Sequence, residues 1–357
     1  MITRSTLFTV PGGDTVQVKQ TAAHLEKNNI SVSIKLSDEK IDYSPFQLIH
    51  FFNITRPADI IHHIKKSGKP YIVSTIFVDY SAFDKQQRKG LAGMLFRLLG
   101  LNGIEYVKTI SRWLLGKDKL ISKSFLWKGQ RKSIEFVLQN AALLLPNSHS
   151  EFKRLKKSYR FETAYEVVPN GVDTNTFVFN QQVPKDPSLV LCVARIEGIK
   201  NQLNLIKALN DTKYRLIIIG NPSPNQLAYY NQCCHIASGN IQFIPHMAQH
   251  ELLQYYQHAT VHVLPSWFET TGLSSLEAAA MGCSIVITDK GDTREYFADD
   301  AEYCDPSSPK NIFVAVEKAA LLRDNESFRK KIISLYSWEQ ATIKTMDAYE
   351  RIKKIWD

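Results

Sequence analysis

The sequence predicts an α/β protein built from two doubly wound parallel-sheet domains in series, on three observations. Short β-branched apolar runs alternate with amphipathic helical stretches along the chain, which is the rhythm of consecutive βαβ units. The length, 357 residues, suffices for two full cores. The rhythm also restarts near "YEVVPNGVD". The expected boundaries are 1–168 and 169–337, with a terminal helix, 338–357, packing back on the first domain.

In the first half, "RSTLFTV" reads as a strand, "PGG" as a turn and "TVQVKQTAAHLEKNN" as an amphipathic helix. "ISVSIKL" and "FQLIHFFN" read as strands, "ADIIHHIKKSG" as a short helix and "PYIVSTI" as a buried strand. Two or three amphipathic helices are expected between Lys85 and Gln139, then the strand "AALLLPNS". The second half has five apolar runs of strand length: "LVLCVAR", "YRLIIIG", "IQFIPH", "TVHVLPS" and "CSIVITD". The run from Trp338 to Trp356 has no strand after it and reads as a long helix.

Composition is that of an ordinary globular chain, 44% hydrophobic and 22% charged. No apolar run approaches a membrane span, and the first apolar run is too short for a signal peptide. Five cysteines without framework spacing fit a reducing cytoplasm. Cys233, Cys234 and His235 have no second ligand pair at metal spacing. His258 and His262 lack the adjacent glutamate of a zincin and run into a strand. The net charge of +9 is uneven. Residues 1–169 carry 26 Lys and Arg against 14 Asp and Glu, and residues 88–160 alone carry 16 against 4. One half therefore suits an anionic partner.

Three stretches carry chemistry. "PGGD", residues 11–14, joins a strand to a helix through a Gly-Gly turn that lets backbone amides approach a phosphate; alone it reads as a plain tight turn. "VARIEGIKN" places Arg195 and Lys200 past a buried strand, a pair able to neutralise a diphosphate or to be plain surface charge. "PSWFETTGLSSLEAAAMG", residues 265–282, sets Glu269 at a strand's C-terminal end and Glu277 inside the next helix. Ligands bind open α/β sheets at such a junction. Thr270, Thr271 and Gly272 are expected to offer free amides there. Glycosidase carboxyl pairs stand about 5–9.5 Å apart, whereas eight helical residues rise about 12 Å. The pair suits the two ends of an extended ligand.

Together these stretches resemble the retaining GT-B glycosyltransferases, family 4, with "PSWFETTGLSSLEAAAMG" as their E-x7-E signature. The Arg195 and Lys200 pair, "PGG" and "VVPNGVD" match in order and spacing over essentially the whole chain. The resemblance implies two Rossmann-like domains facing across a cleft and retaining, metal-free transfer of a sugar from a UDP- or GDP-linked donor, with no cofactor. It implies that Glu269 binds sugar hydroxyls and Glu277 the ribose, and that Arg195 and Lys200 hold the diphosphate with the amides of Gly272 and Leu273. Gly12 and Gly13 would close over the donor, and the base would lie by Phe243 and Ile244. No D-x-D metal clamp occurs in the sequence.

Two departures stand out. The histidine often found after the strand matching "PYIVSTI" is absent, which leaves Asp79 as the acceptor-side candidate. The usual Gly-Phe after the first signature glutamate is Thr270-Thr271. For residues 88–160 the expectation is an anionic membrane surface and a polyprenyl-diphosphate-linked or saccharide acceptor, as in O-antigen or capsule assembly. The expected place is the inner face of the plasma membrane. A same-fold epimerase or a synthase acting on a soluble acceptor is the alternative. Nucleic acid is not expected, because Phe96, Tyr106, Trp113, Phe125 and Trp127 form no stacking motif.

Overall fold

A computed structural model describes residues 1–80, 83, 99–116, 119–322 and 326–356. It divides into two compact units, residues 1–170 with 338–357, and residues 171–337.

The first unit runs β1 (Ile2–Thr3), α1 (Gly13–Lys27), β2 (Lys35–Leu36), β3 (Ile49–Phe52), α2 (Pro57–Ser67), β4 (Tyr71–Ser74), α3 (Leu101–Leu114), α4 (Phe125–Asn140), β5 (Leu143–Leu145) and α5 (His149–Ser158). The sheet is parallel, in the order β2-β1-β3-β4-β5. Its helices return the chain to the same edge after each strand, as parallel pairing demands.

Two strand expectations need correction. "RSTLFTV" is not a strand, and pairing stops at Thr3. The Arg4 guanidinium turns back to hold Asp14 at 2.6 and 3.0 Å and donates to the carbonyls of Thr6 and Val10 at 2.8 Å. Residues 4–10 therefore form a knot of turns rather than an extended edge. "ISVSIKL" shortens to Lys35–Leu36, since β1 offers only Ile2 and Thr3 to pair with. The helical expectation for Leu91, Met94, Leu95, Leu98 and Leu99, with Arg88, Lys89 and Arg97, falls outside the described residues except at Leu99, which is a bend; Phe96 and Lys117 lie outside them too.

The second unit runs β6 (Asp186–Val193), α6 (Gln202–Leu209), β7 (Arg215–Ile219), α7 (Leu227–Ile236), β8 (Ile241–Ile244), α8 (Gln249–His258), β9 (Ala259–Leu264), α9 (Leu273–Ala280), β10 (Ser284–Thr288), α10 (Thr293–Phe297), β11 (Glu302–Cys304), α11 (Pro309–Leu321) and α12 (Glu326–Leu335). Strand order is β11-β10-β9-β6-β7-β8, all parallel. Alternate residues feed opposite cores. Leu189, Leu191, Ile217, Ile219, Ile285 and Ile287 join one cluster, while Val190, Cys192, Leu216, Ile218 and Val286 join the other. A sheet covered on both faces explains why these strands read as unbroken apolar runs. The order reverses between β6 and β9, so their C-terminal ends open the crevice where such sheets take ligands.

The last helix, α13 (Trp338–Trp356), belongs to the first unit and packs on α1. Tyr349 Oη lies 2.8 Å from His50 Nδ1 on β3.

Candidate active site at the sheet switch point

Beyond β6 the chain makes a short 3₁₀ turn, Gly198–Lys200, and Asn201 takes a left-handed conformation (φ 61°) to start α6. The Asn201 side chain donates to the carbonyls of Pro265 (3.0 Å) and Pro306 (2.7 Å), and the Trp267 amide donates to Ile199 O at 2.9 Å. These bonds fasten the loop after β6 to the loop after β9. Lys200 Nζ consequently meets Glu269 Oε1 at 2.5 Å across the switch point. Glu269 is buried and Lys200 one-fifth exposed, so the pair is only weakly screened by solvent.

Glu269 is fixed from behind. Its amide donates to Lys290 O at 3.0 Å, and its carbonyl accepts from the Asp292 amide at 2.9 Å. Gly291 passes so close, at φ 114°, that a Cβ there would lie 1.9 Å from Glu269 O. Arg195 lies at the mouth, pairing with Glu197 at 2.9 Å, and Glu197 also accepts from Ser223 Oγ at 2.8 Å. Both expected diphosphate cations thus carry a carboxylate partner.

The amide donors begin later than the sequence suggested. Gly272 is the N-cap of α9 at φ 73°, and its carbonyl takes the amides of Ser275 and Leu276. The amides of Leu273 and Ser274 remain as the orphan donors of the first turn. Thr270 and Thr271 precede the helix; Thr271 is fully buried and Thr270 half-buried. One turn into α9, Glu277 accepts from Gln249 Nε2 at 3.1 Å and from Tyr256 Oη at 3.0 Å. Protein packs around its carboxyl although the residue keeps some accessible surface, and this desolvation raises its pKa to about 7.

Phe243 and Ile244 end β8, two strands from β6. The Phe243 ring packs edge-on against Tyr230, and Ile244 O accepts from the Gly220 amide at 3.0 Å. Their side chains serve packing, which leaves backbone groups as the means of meeting a ligand. Beneath the crevice, His262 is wholly buried between the Val193 amide and Ser275 Oγ, and burial lowers its pKa to about 3, so it is a neutral core residue. Among the described residues no three His, Cys, Asp or Glu side chains gather as a metal cluster.

The remaining expected residues lie in the first unit. Gly12 caps α1 in an extended conformation, and its amide is taken by Thr15 Oγ1 at 3.0 Å. The amide of Gly13 begins the helix without that partner. Asp79 follows β4 on a half-buried loop whose geometry is set by Glu151. This buried carboxylate accepts from Thr75 Oγ1, from the Phe77 amide (2.8 Å) and from the Asn147 amide (2.9 Å). It brackets Ile76, a β-branched residue held at φ 43°, a conformation such residues avoid. Glu197, Asn201, Gly291 and Glu151 were not anticipated. Only Glu151 carries a readable signal, since "SHSE" is a Ser N-cap with Glu at the third helical position, and Glu151 N bonds Ser148 Oγ at 3.0 Å.

Comparison with known proteins follows this division. The family "Glycosyl transferases group 1" matches residues 173–334, almost all of the second unit. A D-inositol 3-phosphate glycosyltransferase of Nocardioides sp. is 26% identical over 257 residues, 61% of this chain and 56% of that protein. A glycogen synthase of Mycobacterium tuberculosis is 27% identical over 201 residues, 53% of this chain and 49% of that protein. The chain thus spans about half the length of these curated relatives. Among solved structures, a sucrose-phosphate synthase from Thermosynechococcus elongatus superposes with TM-score 0.73 at 15% identity, covering 96% of this chain and 94% of that one. The Anabaena protein HepE in complex with UDP and glucose gives 0.67 at 12%, covering 98% and 99%. The fold is GT-B.

Proposed function

We propose that the protein is a retaining, metal-independent glycosyltransferase that takes its sugar from a UDP- or GDP-linked donor. The Lys200–Glu269 pair carries this reading, because it joins a cation and a hydroxyl-binding carboxylate at the point where the strand order reverses. The family match over residues 173–334 and the UDP-bound HepE neighbours support it. Lys200 and Arg195 hold the diphosphate, and the amides of Leu273 and Ser274 add their dipoles. Negative charge grows on the diphosphate as the glycosyl bond breaks, so donors already in place lower the barrier without reorganising. Glu269 aligns the sugar by its hydroxyls, Glu277 takes the ribose diol, and Phe243 and Ile244 flank the base. On the first unit Gly12 and Gly13 serve the donor and Asp79 the acceptor. No cofactor is required.

The acceptor we propose is a polyprenyl-diphosphate-linked saccharide, in O-antigen or capsule synthesis at the cytoplasmic face of the plasma membrane. A second reading is a soluble phosphorylated acceptor, favoured by the relatives named for inositol 3-phosphate and sucrose phosphate. Incubation with a panel of UDP- and GDP-sugars in EDTA, with lipid-linked and soluble acceptors side by side, separates the two. Transfer to sugar phosphates or inositol phosphate alone would overturn the first.

A further inference from the structure

The basic segment of the first unit carries, near its middle, a feature that core packing does not explain. The last turn of α3 and the residue after it expose Trp113 (40%), Leu114 (71%) and Leu115 (68%), and Trp127 in the first turn of α4 is 88% exposed. Among the described residues of the unit, the other large apolar side chains in solvent are Phe8 (50%) and Ile343 (52%). Tyr106, two turns before Trp113 on α3, stacks on Phe125 with centroids 5.4 Å apart and donates to Leu126 O at 3.1 Å. That contact brings the start of α4 alongside α3. Gly129, at φ 68°, breaks α4 after one turn, so Phe125–Lys128 forms a separate turn that presents Trp127. The exposure is therefore built by packing and a backbone break.

The surroundings are cationic. Residues 112–132 hold seven Lys and Arg against one acid. Lys119 pairs with Asp38 at 2.9 Å and Arg131 with Glu135 at 3.2 Å, both from well-exposed side chains. Trp113 and Phe125 line a shallow recess together with Arg56, Arg112 and Lys119. Two tryptophans and two leucines ringed by cations have the composition that partitions into an anionic bilayer interface, with aromatic rings at headgroup level and cations on phosphates. A second copy docking through the same patch would bring like charge against like charge, so the charge selects an anionic partner.

We propose that Trp113, Leu114, Leu115 and Trp127 form a membrane-docking tip that inserts among anionic phospholipid headgroups, held there by Arg112, Lys123 and their neighbours. The tip would keep the unit that handles the acceptor at the surface where a lipid-linked acceptor resides. The docking itself needs no sugar chemistry, so its test stands apart from the reading of the donor site.

The test is co-sedimentation of the full chain with vesicles of phosphatidylcholine, with and without about one-third phosphatidylglycerol, at low and high salt. Binding is expected only to the anionic vesicles and only at low salt. Reversing Arg112 and Lys123 to Glu is expected to weaken it by roughly fivefold or more per cation. Trp113→Ala with Trp127→Ala is expected to weaken it at least about tenfold, and Trp127→Ala alone, at a side chain that is 88% exposed, is expected to weaken it with an unchanged thermal transition. Brominated acyl chains should quench wild-type tryptophan fluorescence and spare the Trp127→Phe variant in part. Absence of binding to anionic vesicles overturns the proposal, as does equal binding to neutral ones or wild-type binding by both sets of variants. Tighter binding of an oligonucleotide, or self-association lost with Trp127, would assign the tip to another partner and overturn it equally.

Discussion

Lys200 and Glu269 are 69 positions apart in the chain and 2.5 Å apart in space. Each comes from the loop after one of the two strands that flank the reversal of strand order. Lys200→Ala is expected to lower turnover of the sugar donor by about 10²-fold or more, as loss of a preorganised charge typically does, and Arg195→Ala similarly. Thermal melts should stay near wild type for Arg195→Ala, whose side chain is 43% exposed. Wild-type turnover in both variants would remove them from the site.

Glu277 links the site to pH. Its folded pKa of about 7 exceeds the ordinary glutamate value near 4.5, so the folded state holds its proton more tightly than the unfolded chain. Below the lower value both states are protonated and nothing is lost. Stability then falls as pH rises from about 4.5 to 7, by up to roughly 3 kcal/mol. Glu277→Gln is therefore expected to be more stable than wild type at pH 8 and equal to it near pH 4. Chemical denaturation across that range checks the sign. Nucleoside diphosphate binding should strengthen as Glu277 ionises, because ribose hydroxyls donate to a carboxylate.

The roles of the two signature glutamates separate by calorimetry. Glu277→Ala should weaken binding of the bare nucleoside diphosphate, while Glu269→Ala should leave it and abolish sugar transfer. The reverse pattern would exchange their roles.

Gly291→Ala tests how Glu269 is held. The new Cβ would meet Glu269 O at 1.9 Å from a backbone at φ 114°, so a loss of at least about 2 kcal/mol is expected. Gly239→Ala, with nothing near its Cβ, should stay within about 0.5 kcal/mol. Equal melts for the two would show that the loop gives way freely.

Glu151→Ala would strand the Thr75 hydroxyl and the amides of Phe77 and Asn147 in a buried setting, at a cost of about 3 kcal/mol. Glu151→Gln, which keeps one acceptor oxygen, should lose about half of that in urea denaturation.

Much of the second unit was legible because a parallel sheet covered on both faces prints each strand as an apolar run, as in "LVLCVAR" and "YRLIIIG". β11 (Glu302–Cys304) escaped because three residues at a sheet edge make no run. In the first unit the opening strand misled, since nothing in "RSTLFTV" announces that Arg4 will turn back on Asp14. Lys200, Glu269 and Glu277, the residues proposed to carry the chemistry, could be named from their places after strands taken together with the family resemblance. Their supports could not. Asn201, Gly291 and Glu197 act through long-range backbone contacts, which have no periodicity in sequence. The left-handed Gly272, rather than either threonine, caps α9, so the free amides begin at Leu273 and not at Thr270.

The central claim is that the crevice between β6 and β9 binds and cleaves a nucleotide-sugar. The most direct measurement is release of nucleoside diphosphate from a panel of UDP- and GDP-sugars by the purified protein in EDTA, wild type beside Lys200→Ala. The account predicts release from at least one donor by the wild type, reduced about 10²-fold or more in the variant. Release that is unchanged in Lys200→Ala, or no release and no nucleotide binding with any donor, would contradict it.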